Sequence, residues 1–324
     1  MKFTSIPENY DSFHDHLLYV FDTEATAHDV EIKILNAETS EEIGTKLMYG
    51  ITKGEVDIAP YLRHYMSLAM PEMVNNCVEL GLGQNIKVRV EADGVSSDER
   101  SYIAAKVESK SAWQLLTTQL HHRTMDCDEF DIISYYAPDN QFVEVVVKAF
   151  GKGSGNVIIT PTAGGQRAVA VTAQGLVEEP DELRVTILVD GVEMEQITYS
   201  IKPNLRGARR LMWLNENHAP ELYTFPLRKS VLTKATRKHI ESVWGREAAA
   251  LESENELKLI SAYEPRAQIQ ALAAIVESQR SWLVRGGELQ RVNLLSDRAL
   301  VPQCGEMGMI EVDLRAAEEG VKLW

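Results

Sequence analysis

Short runs in which apolar and polar residues alternate dominate the first two thirds of the chain. They include "HLLYVF" (16–21), "DVEIKIL" (29–35), "GEVDIA" (54–59), "NIKVRVEA" (85–92), "FVEVVVKAF" (142–150), "NVIIT" (156–160) and "RAVAVTA" (167–173). A period of two is the signature of a strand that buries one face. Strands of this length, separated by Gly, Asp and Asn turns, predict β-sandwiches. The clearest hairpin is "LRVTILVDGVEMEQITYSI" (183–201). Val185, Ile187 and Val189 alternate up to Asp190-Gly191, a pair suited to a type I′ turn, and Val192 and Met194 begin the return. The phase shifts at Glu195-Gln196 before Ile197, Tyr199 and Ile201, which predicts a bulge. "HLLYVF" followed by "VEIKIL" is echoed by "DIISYY" followed by "VEVVVKAF", with Val30 and Val143 equivalent. Either a duplicated sandwich or chance similarity between strands gives such an echo.

The last third changes character. "TRKHIESVWGREAAALESE" (236–254) is rich in helix formers and charge, and "ELKLISAY" (256–263) reads as a strand. The best helix in the chain is predicted over 265–279, with Pro265 in its first turn. Ile269, Leu272 and Ile275 or Val276 recur on one face, while Arg266, Gln268, Gln270 and Glu277 fall mostly elsewhere. "WLVR", Gly286-Gly287 and "ELQRVNLL" predict a hairpin, and "GMIEVDLR" (308–315) a final strand. "IKPNLRGARR" reads as a linker, and "MWLNENHAPELYTF" (212–225) then opens a further domain, with Asn215 to Pro220 as the turn between two aromatic-bearing strands. The predicted fold class is mainly β: two tandem β-sandwich domains, 1–113 and 114–203, then a smaller α+β domain, 204–324, whose one helix packs on a sheet.

Composition narrows the functional classes. The 324 residues are 44% hydrophobic and 25% charged, ordinary values for a globular chain, and the net charge is −15. That balance argues against a nucleic-acid partner, because like charges repel the phosphate backbone. The basic run "RGARR" with Lys202 is a local exception, read as a solvated linker rather than a small anion site. No segment has the length of a membrane span and no signal peptide is evident, so the expected location is cytoplasmic or within an assembled virion-like particle. Cys77, Cys127 and Cys304 are few and far apart, as expected of reduced thiols.

Candidate chemistry is sparse. His14 and His16 flank Asp15 and would share a strand face, a metal-site spacing, but no third ligand lies nearby. The histidines at 121–122 would point to opposite faces. "GKGSGN" (151–156) has its lysine between glycines and a β-run after it, so a hairpin loop is expected rather than a phosphate loop. No nucleophile elbow or Cys–His signature stands out. Trp113, Trp244 and Trp282 could form a sugar platform but read as core or interface residues. Catalytic, cofactor-binding and metal residues are therefore all expected to be absent.

Three phrases together resemble a known class: "GEVDIAPYLRHY" (54–65), "MWLNENHAPELYTF" (212–225) and the run from "KLISAYEPRAQIQALAAIVESQRSWLVRGGELQRVNLLSDRAL" to "MIEVDLRAAEE" (258–319). In that order they resemble tail- or baseplate-type structural proteins of prophage-like regions in Bacteroidetes, over the last third above all. The resemblance implies a non-enzymatic ring- or tube-forming role, with other protein subunits, of its own kind or of a tail-like assembly, as partners. The alternative from composition and fold class is a carbohydrate-binding or adhesion-type sandwich module.

Overall fold

The computed structural model describes residues 1–24, 26–66, 69, 74–202, 207–243, 245–285, 288–301 and 307–317. The chain is mainly β. Its N-terminal portion contributes β1 (Lys2–Ser5), β2 (Leu18–Asp22), β3 (His28–Asn36), β4 (Glu42–Ile51), β5 (Lys53–Asp57), α1 (Ala59–Tyr65), β6 (Val78–Leu80), β7 (Asn85–Ala92), β8 (Val95–Ser96) and β9 (Arg100–Ile103). One sheet runs β1-β2-β5 and a second runs β4-β3-β7-β8, with β9 also on β7. Alternation along these strands sends Tyr19, Phe21 and Val56 from one sheet, and Val30, Ile32, Ile34, Val88 and Val90 from the other, into one core. Short helix α1, with a proline in its first turn, follows the "GEVDIA" strand and adds Leu62 to that core.

The central portion contributes β10 (Gln114–Leu115), β11 (His122–Met125), β12 (Phe130–Ala137), β13 (Val143–Gly151), β14 (Gly153–Ile159), β15 (Gly165–Thr172), β16 (Glu182–Val189) and β17 (Val192–Ile201). Its sheets are β10-β12-β15-β6 and β11-β17-β16-β13-β14. β6 therefore lies in the N-terminal stretch of sequence but pairs with β15, and Trp113 likewise packs on the central core. The pairings β1·β2, β2·β5, β3·β4, β3·β7 and β7·β9 recur in the same chain order as β10·β12, β12·β15, β13·β14, β13·β16 and β16·β17, and all are antiparallel. Val30 and Val143 occupy the corresponding strands β3 and β13, and both are buried.

In the hairpin β16–β17, Asp190 (φ 51°) and Gly191 (φ 78°) both take positive φ, as a type I′ turn demands. The expected bulge is present but nearer the turn. Ile187 faces Glu195 and Leu188 faces Glu193, so Met194 is the extra residue.

The C-terminal portion contributes β18 (Arg209–Leu214), β19 (Pro220–Phe225), β20 (Leu227–Ser242), β21 (Gly245–Ile260), β22 (Glu264–Pro265), α2 (Arg266–Ala273), β23 (Ser281–Arg285), β24 (Glu288–Leu294), β25 (Met307–Gly308) and β26 (Glu311–Ala316). Seven of these strands form the sheet β19-β18-β23-β24-β26-β21-β20. The stretch 236–254, rich in helix formers, is not helical. It makes the two arms of a long antiparallel hairpin, because cross-strand pairing overrides weak intrinsic propensity. Helix α2 is shorter than expected, and hydrogen-bonded turns continue it to Ser278. Its buried stripe is Ile269, Leu272 and Ile275, and Leu272 and Ile275 pack with Leu211, Trp213 and Leu283 of the sheet. Gly286-Gly287, Trp244, Cys304 and the linker residues 203–206 lie outside the described residues.

Layering explains why some strands lack alternation. On β12, Ile133 and Tyr135 face the central core while Phe130 and Ile132 face Met212, Leu222 and Trp282 of the C-terminal sheet. A strand buried on both faces reads as a continuous apolar run, as "DIISYY" does. On β15 the outer positions are Ala168 and Ala170, small enough for the C-terminal sheet to approach closely. Among the described residues no helix is long and apolar enough to cross a membrane.

Candidate functional site

The segment 212–225 is the junction where the three portions meet. Trp213 and Phe225 are fully buried core residues, and the turn between them is built by Asn215. Its Oδ1 accepts from the amides of Asn217 (2.9 Å) and Ala219 (3.0 Å), closing an Asx-type turn. Its Nδ2 donates to the Leu116 carbonyl (2.8 Å) and to Glu221 Oε1 (2.9 Å). Glu221 is wholly buried and accepts in addition from the Thr118 amide and hydroxyl. Burial pushes its carboxyl above the usual range, against the pull of those donors and of Arg123. The polar turn thus binds the central portion while its flanking aromatics fill the C-terminal core.

A second cluster lies alongside. Arg210, only 4% exposed, donates to Glu129 Oε2 (3.1 Å), Thr224 Oγ1 (2.6 Å) and Asp131 Oδ1 (3.3 Å). Asp131 also accepts from Arg123 (2.8 Å), which is itself buried. Arg210, Asp131 and Arg123 line a small cavity of about 40 Å³ together with Gln119, Tyr199 and Gln268. This corrects the reading of "RGARR" as a solvated linker: Arg210 is a buried, neutralised cation in β18, held by carboxylates some eighty positions earlier in the chain. Gln268 is a second correction. Instead of facing water it is buried, accepts from the Leu120 amide (3.0 Å) and donates to Gln119 Oε1 (3.2 Å), tying α2 to the central portion.

The third junction joins the N- and C-terminal portions. The imidazoles of His14 and His218 stack with centroids 3.5 Å apart and planes 8° from parallel. His218 is held at positive φ (51°) in the 215–219 turn, and its carbonyl accepts from Gln84 Nε2 (2.7 Å). Burial lowers both pKa values, that of His14 to about 4, helped by His218 and Arg63 beside it. Phe13, Arg63, Gln84, Leu214 and Arg280 surround the pair in a cleft of about 80 Å³.

The other candidates separate. His16 is exposed and pairs with Asp57 (2.6 Å), whereas Asp15 pairs with Lys106 (2.6 Å), so "HDH" does not converge. His121 pairs with Glu195 and His122 is exposed on β11. Among the described residues, the only grouping of three metal-competent side chains is Asp126, Cys127 and Asp128. Burial and the adjacent Asp126 push the Cys127 thiol up to about 12, so it is protonated at neutral pH. Lys152 stands in the tight turn between Gly151 and Gly153, where its ammonium meets Glu179 (2.5 Å). Trp113 packs near Tyr135 and Trp282 is buried. Arg123 and Arg210 are matched by Asp131 and Glu129, and the arrangement is chemically that of a clasp between packed layers.

No protein-family model matches the chain, and no curated protein matches it significantly.

Proposed function

We propose that this chain is a non-enzymatic structural protein that acts through contacts with other protein subunits, as a tail or baseplate component of a phage-tail-like assembly. In this reading residues 1–113 and 114–203 are tandem β-sandwich domains derived from one another, and residues 204–324 are an α+β domain clamped to them. The recurrence of five strand pairings in the same order supports the duplication. The clasps of Asn215, Arg210 and Gln268 join the portions to one another, which suits a building unit.

One observation carries the proposal. β21 joins the body of its sheet only through Glu256–Ile260, which pair with β26. From Thr233↔Asn255 to Ser242↔Gly245 the hairpin continues as two strands alone, and no third strand pairs with that stretch among the described residues. Ten residues in one arm and eleven in the other extend ~33 Å, and an isolated two-stranded ribbon is marginal in water. A ribbon of this length is best accounted for by a neighbour that completes it.

The test is sedimentation of the chain alone and together with the products of its flanking genes, paired with a glycan array. A species larger than the monomer in either mixture supports the proposal. Glycan binding by a chain that stays monomeric in both would replace it with the carbohydrate-binding reading.

A further inference from the structure

We propose that the free ribbon is an assembly arm whose edge strand β20 adds onto edge strand β4 of a second copy of this chain, head to tail. The inference rests on the assembly reading above and names the partner and its receiving surface.

An added strand needs an open edge of matching length. β4 is ten residues long and pairs only with β3, and the free part of β20, Thr233–Ser242, is also ten. Of the other long edges, that of β21 along Gly245–Asn255 is also open but belongs to the arm itself. At the turn of the β13–β14 hairpin, a Cβ placed on Gly151 or Gly155 would lie 2.3 Å from the Glu179 carbonyl or 2.0 Å from that of Leu176, so the 176–179 loop lies over the face of that end, and β14 itself has seven residues. β19 is buried throughout, and Gln119 donates to the Leu222 carbonyl beside it (3.0 Å). The remaining edge strands, such as β1, β5 and β11, have five residues or fewer.

β4 also presents the wrong surface for water. α1 covers its Gly44 end through Tyr61, but beyond it Leu47 is 48% and Tyr49 72% exposed. Apolar side chains on a bare edge invite pairing, and cross-strand neighbours would bury them.

Charge selects between partners. On a chain of net −15, β20 carries Arg228, Lys229, Lys234, Arg237 and Lys238 against Glu241 alone. Two β20 edges placed together would juxtapose like charges, which disfavours a symmetric β20–β20 contact. The turn into β4 and its first residue instead carry exposed Glu38, Glu41 and Glu42, against Lys46 further along the strand. An arm of one copy on β4 of the next is a heterologous contact. It leaves an unused arm at one end and an unused edge at the other, so it propagates to a ring or a filament.

The experiment is complementation by sedimentation velocity. In one variant Lys234–Glu254 is replaced by Asn-Gly, which removes the arm and leaves the pairing of β21 with β26 untouched. In the other, Leu47→Lys/Tyr49→Lys blocks the receiving edge at exposed positions. The wild type should associate, each variant alone should remain monomeric, and their mixture should form a one-to-one heterodimer. Raising salt from 50 to 500 mM should weaken that heterodimer about tenfold or more. Self-association of the edge-blocked variant, or a wild type that associates while the mixture does not, would overturn the β20–β4 contact and leave the assembly reading intact. A wild type that is monomeric alone but assembles with a flanking-gene product would overturn self-pairing only. Circular dichroism of both variants confirms that a monomer is a folded one.

Discussion

Arg210→Met is the substitution that most sharply separates a buried clasp from a solvated linker. The guanidinium is 4% exposed, and three hydrogen bonds are lost with it, to Glu129, Thr224 and Asp131. Methionine retains much of the stem packing, so the loss is mainly electrostatic. Asp131 keeps Arg123, but Glu129, itself only partly exposed, loses its cation and keeps only the Asp126 amide (2.8 Å) and the Thr224 hydroxyl (2.7 Å) as donors among the described residues. Breaking one partner out of a buried pair costs about 3–5 kcal/mol, because the desolvated charge left behind has no compensation. Methionine's packing and the partial exposure of Glu129 place the expected value near the lower end, about 3 kcal/mol. Urea denaturation measures it, with hydrogen exchange to locate it: protection should fall first over β18, β19 and 118–131. Lys148→Met, on an exposed position of β13, serves as the control and should stay within about 0.5 kcal/mol of wild type. A loss below about 1 kcal/mol for Arg210→Met would refute the buried network.

Leu272→Asp puts a carboxylate into a fully buried site beneath α2 and should unfold the 207–317 portion while hairpin 182–201 keeps its exchange protection; even loss along the whole chain would show that the portions unfold as one. Gly191→Val should destabilise by about 1–2 kcal/mol through backbone strain alone, since φ is +78° and a new Cβ meets nothing within 4 Å; an unchanged urea midpoint would contradict the turn type. His14 and His218 are held neutral in the fold, so the unfolded chain binds more protons below the ordinary value of 6.5. Stability should fall as pH drops from 6.5 towards the His14 value of about 4, and His14→Phe should flatten that fall in thermal melts; a pH profile unchanged by His14→Phe would contradict the assignment.

What could be read from sequence followed from what is local. β7 alternates buried and half-buried residues from Asn85 to Ala92 because one face meets a core, and Asp190-Gly191 sets its turn through its own backbone preferences. β4 does not stand out in the sequence because its outward residues, Leu47 and Tyr49, are apolar and blur the alternation. The ribbon is obscured for a related reason. It runs past the sheet body as two strands paired only with each other, and Ala248–Ala250 with its lysines and glutamates carries helix propensity. Arg210 and Gln268 looked solvent-bound because their partners, Asp131 and Gln119, lie 79 and 149 residues away. The turn at 215–219 was visible, but its role as a clasp depended on Leu116, Thr118 and His14.

The claim that the ribbon is a contact surface is tested most directly by hydrogen exchange on the wild-type chain across a concentration series. The amides of Thr233–Ser242 should exchange fast when the chain is dilute and gain protection in step with assembly, while the cores around Val145 and Leu211 stay unchanged. Assembly with no gain of protection along Thr233–Ser242 would contradict the account.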